Sequence, residues 1–338
     1  METDVDTTLS LEAQERPARR PRRSLWRFRV VAGERRRGWP LRRVLAALLP
    51  CGGLGMVVYL IAARSGSFLA AFAAVSPWVF VGAIGAHLLT LALRTEGWRT
   101  VLRAAGGERL EPRAVHAANA GAFLAGSLQG QAAILTRVAL LRRFGASESP
   151  TVTQVALCDA PIVMLEVCGS AILAALGSTA VGMIPVWTPW AMLGGSLAIL
   201  TLLRFLYGHF RHRQIAAGLG VLANPGLRTR LAVVVAAFTA MAFIRTLVVM
   251  GGFGLPTDPA HVCLVLFTTG TVGLLPLGVG TGPTAMVTAL GATSLVTATA
   301  AGMVVSAATI IAVLIYAGAV WTWCIVAERL EANAPVIA

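Results

Sequence analysis

Long apolar stretches alternate with short polar breaks along this chain, in a pattern that occurs twice. Six stretches hold about 20 apolar residues each, the length that a helix needs to cross the hydrocarbon core of a membrane. These six predicted spans are 44–63, 76–94, 153–178, 186–206, 230–252 and 297–326. Between the second and third span of each copy lies a shorter apolar pair interrupted by glycine, at 114–143 and at 262–291.

The two copies, 44–178 and 186–326, each contribute three crossings. An odd number of crossings places the second copy upside down relative to the first, whether each interrupted pair re-enters or crosses twice. Inverted repeats with broken helices at matching positions are typical of transporters, and their site lies where the two copies meet. The pattern predicts an all-α polytopic membrane protein of two inverted-topology repeats, each with a re-entrant or short helical hairpin.

Composition agrees with a membrane protein. The chain is 57% hydrophobic and 13% charged, about half the charged share of a typical soluble domain. No long polar stretch follows the N-terminal region, so there is no room for a soluble catalytic domain. The five histidines are scattered and the five cysteines lie in apolar segments, without the spacing of a metal site or a catalytic motif. We therefore expect no enzyme activity, no cofactor and no metal.

The basic charge is concentrated at the N-terminus. The chain contains arginine but no lysine, and twelve of its arginines precede residue 44. Residues 1–43 are predicted to be a disordered cytoplasmic arm whose arginines contact anionic lipid headgroups, an interpretation favoured over nucleic-acid binding. With this arm inside, the predicted outer loops contain a single arginine, Arg64. The sequence thus predicts a multi-pass protein of a bacterial cytoplasmic membrane with both termini cytoplasmic, the C-terminal tail being 327–338.

Two half-helices are predicted in the interrupted pair 114–143. They meet near Gly126–Gln131, where the amides of Gln129 and Gln131 can satisfy non-helical backbone at membrane depth. The second pair contains GLLPLGVGTGP, and its returning half-helix begins near Thr284.

The free N–H groups at such a helix start would suit an anionic headgroup, with Gly280, Gly282 and Thr284 as candidate site residues. The alternative interpretation is that these glycines only allow close helix packing.

Ionisable residues inside the spans form the other candidate group. Each costs about 2.5–3.5 kcal/mol at a helix centre, so such residues normally pair or line a pathway. Glu166 and Arg245 lie at similar depths, about 20 Å along their helices. Either they form an ion pair, structural or functional, or Arg245 binds a phosphate while Glu166 balances the charge. Asp159 is expected to be hydrated or capping, and Arg137 either snorkels to the interface or closes the mouth of a cavity.

The segment 94–103 places three arginines around Trp98, a spacing that predicts a basic amphipathic helix on the cytoplasmic surface. This stretch, together with GAFLAGSLQGQAAILTRVALLRRFG and LPLGVGTGP, resembles the transmembrane region of the lysylphosphatidylglycerol synthase family, over roughly residues 44–326. The resemblance implies a stand-alone flippase domain without the aminoacyl-transferase domain.

Two functions remain open from the sequence. The first is a flippase-like transporter of an anionic lipid or lipid-linked headgroup, with anionic membrane lipids as partners. The second is a non-transporting scaffold for cell-envelope enzymes that docks through residues 1–43. The expected protein partners are a second copy of the chain or an envelope-biosynthesis protein, and nucleic acid is not among them.

Overall fold

The computed structural model describes residues 65–105, 111–128, 130–144, 152–180, 182, 185–210, 219–272, 281–291 and 295–333. Within these ranges the chain forms ten α-helices and no strand. The helices are α1 Ser65–Ala73, α2 Pro77–Ala104, α3 Pro112–Leu128, α4 Gly130–Phe144, α5 Val152–Ala180, α6 Thr188–Phe210, α7 Pro225–Gly252, α8 Pro259–Val272, α9 Thr281–Leu290 and α10 Leu295–Asn333.

Five helices, α2, α5, α6, α7 and α10, are long and apolar enough to cross a membrane. They correspond to five of the six predicted spans and confirm an all-α polytopic membrane protein. The remaining span, 44–63, and the arm 1–43 lie outside the described residues. The predicted outer loop after that span contains the helix α1, which packs against α10 with Phe68 buried.

Local sequence signals explain where the two most extensively paired helices begin. Ser76 precedes Pro77, and the Ser76 side chain accepts a hydrogen bond of 3.4 Å from the backbone N–H of Trp78. Asn224 precedes Pro225 in the same way and caps α7. A polar cap followed by proline in the first turn satisfies the free N–H groups of a helix start. Both helices therefore begin at defined positions, and α7 starts five residues before the predicted span.

The prediction of a separate surface helix over 94–103 is wrong, because α2 continues unbroken through this stretch to Ala104. Trp98 is only 1% exposed and packs in a core cluster with Leu141, Val155 and Leu231. Trp98 therefore packs between helices and does not anchor a helix to the membrane surface. At the other end of the chain, α10 continues to Asn333, beyond the predicted end of the span at residue 326.

Each interrupted pair folds as a helical hairpin. In the first, Gly126 of α3 faces Ala133 of α4, and Gly121 faces Leu140, so the two helices run back along each other. In the second, the hydroxyl of Thr268 on α8 donates a hydrogen bond of 3.3 Å to a backbone carbonyl on α9. That these hairpins re-enter the membrane from one side, or cross it as two short helices, stays a prediction.

The direction of α7 is opposite to that of α2. A Cβ built on Gly252 at the end of α7 would lie 2.6 Å from Val79 at the start of α2, whereas Gly97 near the end of α2 faces Val234. These close approaches make α2 and α7 the central antiparallel pair of the molecule.

The third long helices of the two copies also run in opposite directions. Gly97 and Arg94 of α2 lie against Ile162 and Glu166 of α5, respectively, so α5 is antiparallel to α2. In contrast, α10 is parallel to α2, because its early residues cluster with the start of α2 and its later residues, such as Tyr316, cluster with the middle of α2.

Each hairpin packs against the third long helix of the other predicted copy. α5 of the first copy lies against α8, so closely that a Cβ on Gly177 would be 2.6 Å from the Cα of Ala260. α10 of the second copy lies against α3, with Ala117 and Ala120 in its packing cluster. The core is therefore shared between the two halves of the chain rather than divided between them.

Candidate functional site

A cavity of about 300 Å³ lies between helices of both predicted copies. Its described lining comes from α2 and α5 of the first predicted copy and from α7 and α8 of the second. Aliphatic, aromatic and hydroxyl side chains line most of it, and its charged lining residues are Arg94, Glu166 and Arg245. The cavity thus lies between the two segments that the sequence predicts to be repeats, and its role as a site stays a prediction.

Arg245 is a buried cation, with 7% of its surface exposed. Its Nη1 donates hydrogen bonds to Nδ1 of His87 at 2.6 Å and to the hydroxyl of Thr309 at 3.4 Å, and its Nε has no partner among the described residues. Within the described part of the chain, no carboxylate lies within ion-pair distance of Arg245. The described hydrogen-bond partners of this cation, His87 and Thr309, are therefore groups without a negative charge.

His87 holds this guanidinium as a neutral acceptor. A guanidinium carries only donors, so Nδ1 of His87 must offer its lone pair. The ring proton is then on Nε2. The two partners of Arg245 on α7 come from two other helices, His87 from α2 and Thr309 from α10, so both predicted copies position the guanidinium.

Glu166 forms an ion pair with Arg94, not with Arg245. Its carboxylate lies 3.0 Å from Nη1 of Arg94, and both side chains are about one-third exposed. The predicted Glu166–Arg245 ion pair is wrong, because the antiparallel packing of α2 on α5 places Arg94, and not Arg245, within ion-pair distance of Glu166. Since Glu166 and Arg245 line the same cavity, a ligand on Arg245 with Glu166 balancing charge stays a prediction.

Arg137 and Asp159 form a second ion pair, apart from the cavity lining. The guanidinium of Arg137 is buried and lies 4.5 Å from the centre of the Trp98 ring, a cation–π arrangement. The two expectations for Arg137, snorkelling or closing a cavity mouth, are both wrong, and Asp159 is neither simply hydrated nor a cap. The ion pair connects α4 to α5, and the contact of Arg137 with Trp98 adds α2 to this cluster.

Of the candidate residues predicted in the hairpins, Gly282 and Thr284 are described, and neither is among the residues that line this cavity. A Cβ on Gly282 would meet the carbonyl oxygen of Gly302 and would lie 2.5 Å from the Ser306 hydroxyl oxygen, so this glycine permits close packing on α10. Thr284 is exposed. Gln129 and Gly280 lie outside the described residues, as does the side chain of Gln131.

The sequence interpretation missed three polar residues of the site, His87, Arg94 and Thr309. His87 carried a usable signal, because it is an ionisable residue inside an apolar span. Arg94 was placed at a cytoplasmic span end, and its partner depends on which helix lies next to α2.

A second polar cluster lies further along α2, around Glu96. Its carboxylate accepts a hydrogen bond of 3.0 Å from Arg99 and lies 3.5 Å from both His116 and Arg230. Nδ1 of His116 is 2.8 Å from the hydroxyl of Tyr316. These contacts join α2, α3, α7 and α10 and so connect the two predicted copies.

In the part of the chain that the structure describes, no three His, Cys, Asp or Glu side chains come together as metal ligands. No protein-family model, curated protein or solved structure matches the chain. The candidate site therefore rests on the geometry of this chain's own residues.

Proposed function

We propose that this protein is a flippase-like transporter that binds the headgroup of an anionic lipid at Arg245. One observation carries the proposal: Arg245 is a buried cation with no carboxylate partner among the described residues, and it lines a cavity. An unpaired charge at membrane depth is costly, whereas a ligand anion beside the guanidinium would offset that cost. Such a position is expected of a binding site.

Transport, rather than binding alone, is supported by the arrangement of the helices. The central pair α2 and α7 runs antiparallel, α5 and α10 run in opposite directions, and each hairpin packs on the other copy. These helix directions and hairpin contacts agree with an inverted repeat. In such a repeat, rocking of one copy against the other would open the cavity first to one leaflet and then to the other.

The size and surroundings of the cavity agree with a headgroup. A volume of about 300 Å³ is at the small end of ligand pockets and suits a polar headgroup whose acyl chains remain in the bilayer. The lipid class of the cargo rests on the apolar helices around the cavity and on the family resemblance given above. The same proposal places the protein in a bacterial cytoplasmic membrane, with both of its termini on the cytoplasmic side.

A lipid-scrambling assay tests the proposal. The full chain is reconstituted in vesicles that contain phosphatidylglycerol with a fluorophore on an acyl chain, and a membrane-impermeant quencher reports the outer-leaflet fraction over time. We expect Arg245→Ala to lower the transfer rate at least tenfold. Arg228→Ala, an exposed arginine on the same helix, is the matched control and should keep the wild-type rate. Equal rates for wild type and Arg245→Ala would overturn the proposal.

A further inference from the structure

The charges on the described residues that line the cavity add up to a single positive charge. Arg94 and Glu166 neutralise each other through their contact of 3.0 Å, and Arg245 contributes the remaining charge. The rest of the described lining is uncharged, with apolar side chains such as Val163, Leu266 and Phe267. In such surroundings a charge is weakly screened, so the number of charges on a ligand matters more than it would in water.

Glu166 determines this count. If it carried no charge, Arg94 and Arg245 would present two positive charges to the same cavity. With Glu166 ionised and paired, a ligand with one negative charge brings the cavity to neutrality. A second negative charge on the ligand would then lie uncompensated, close to the carboxylate of Glu166.

We infer that Glu166 is a specificity-determining residue that restricts the cavity to ligands with one negative charge. A phosphodiester headgroup is accepted and a doubly charged phosphomonoester is rejected. The inference rests on the proposed function, since it requires that Arg245 bind the anionic group. Beyond the proposed function, the inference specifies how many negative charges the ligand carries and which residue selects for that number.

The chemistry of the two phosphate classes provides the test. A phosphodiester has one ionisable oxygen and keeps one negative charge across the working pH range. A phosphomonoester loses a second proton with a pKa of about 6, so it carries mostly two charges at about pH 8.5 and one at about pH 5. The same pair of ligands therefore differs in charge at one pH and matches at the other.

Binding of dihexanoyl phosphatidylglycerol and dihexanoyl phosphatidic acid to the full chain in mild detergent would be measured calorimetrically at both pH values. We expect the wild type to prefer the diester at least tenfold at about pH 8.5 and to lose this preference at about pH 5. Glu166→Gln should abolish or invert the preference at the higher pH. Glu111→Gln, the same change in an exposed residue on α3's N-terminal side, should keep the wild-type ratio.

A double variant separates charge from misfolding. Arg94→Gln combined with Glu166→Gln restores one net positive charge in the cavity, so the preference for the diester should return. An unchanged ratio in Glu166→Gln, or a ratio that does not depend on pH in the wild type, would overturn the inference.

The two proposals fail in different ways. If Arg245→Ala binds the diester as well as the wild type does, the proposed function is wrong. If Arg245→Ala loses binding while Glu166→Gln keeps the wild-type ratio, only the inference about Glu166 is wrong. Deacylated forms of both probes distinguish the source of the anion. Binding of the acylated forms alone supports a lipid, whereas equal binding of the deacylated forms overturns the lipid assignment.

Discussion

Nη1 of Arg245 donates a hydrogen bond of 2.6 Å to Nδ1 of His87, and this contact joins the two central antiparallel helices. The acceptor is neutral, so the guanidinium keeps its charge for whatever enters the cavity beside it. A carboxylate in the place of His87 would have paired with Arg245 and removed that charge. The choice of histidine thus explains how a buried cation is held in place without being neutralised.

Removal of the acceptor at position 87 should destabilise the protein. His87→Phe leaves Nη1 of Arg245 without this partner, and loss of a hydrogen bond to a charged group costs about 1.5–3 kcal/mol. His87→Gln retains an acceptor and should stay close to the wild type. Thermal unfolding in detergent measures both. Equal melting temperatures for the two variants would show that the contact does not hold Arg245.

The ion pair between Arg137 and Asp159 should be far more sensitive to mutation than a surface pair. Asp159→Asn leaves a buried guanidinium without its counter-charge, at a cost of about 3–5 kcal/mol. Glu111→Gln breaks a more exposed pair with Arg113 and should cost about 0–1 kcal/mol. The free energies of unfolding of the two variants, measured side by side, check this order, and similar values would contradict it.

Close packing between α9 and α10 should make Gly302 intolerant of a side chain. A Cβ at this position would lie 2.5 Å from both the Cα and the nitrogen of Pro283, so Gly302→Ala must displace backbone, at about 1–3 kcal/mol. Gly318 lies on the same helix with nothing within 4 Å of an added Cβ, and Gly318→Ala should be tolerated. Thermal unfolding of the two alanine variants distinguishes packing from a general effect of alanine in α10.

Asp258, in the loop that precedes α8, should make stability fall at acidic pH. Its slight desolvation raises the pKa of the carboxyl, but hydrogen bonds from the backbone N–H and ring of His261, at 3.2 and 2.6 Å, outweigh it, so the pKa lies below its usual value. A lowered folded-state pKa stabilises the protein above the unfolded value of about 3.9, and this contribution is lost as the pH falls through the folded-state pKa.

The measurement is the melting temperature of the wild type and of Asp258→Asn between about pH 3 and pH 6. The wild type should be the more stable of the two near pH 6, and the difference should shrink below about pH 4. A difference that stays constant over the whole range would mean that the carboxylate does not contribute through its charge.

Much of the fold follows from lengths and interruptions in the sequence. The five described long helices and both hairpins were predicted, because a run of about 20 apolar residues suits the bilayer and a Gly-rich break is poorly compatible with a continuous helix. The stretch around Trp98 was mispredicted, since arginines beside a tryptophan have the same pattern on a membrane surface and in the last turns of a buried helix.

The candidate site was predicted only in part. Arg245 and Glu166 do line one cavity, but their partners are His87 and Arg94. Depth along a helix can be counted from the sequence, whereas the neighbour of a side chain depends on how each helix is rotated and which helix lies beside it. For Arg137 the sequence left the interface and a cavity mouth open, whereas the side chain is buried beside Asp159 of the neighbouring helix α5.

The sequence by itself determined the membrane class, the helical content and the presence of a costly cation in α7, because these depend on composition and on the spacing of apolar residues. Only the tertiary structure decided how the charges combine. It pairs Arg94 with Glu166 and Arg137 with Asp159, whereas Arg245 donates a hydrogen bond to the neutral ring of His87. The reason is physical: ion pairing requires contact within about 4 Å, and helices distant in the sequence achieve that contact only by packing.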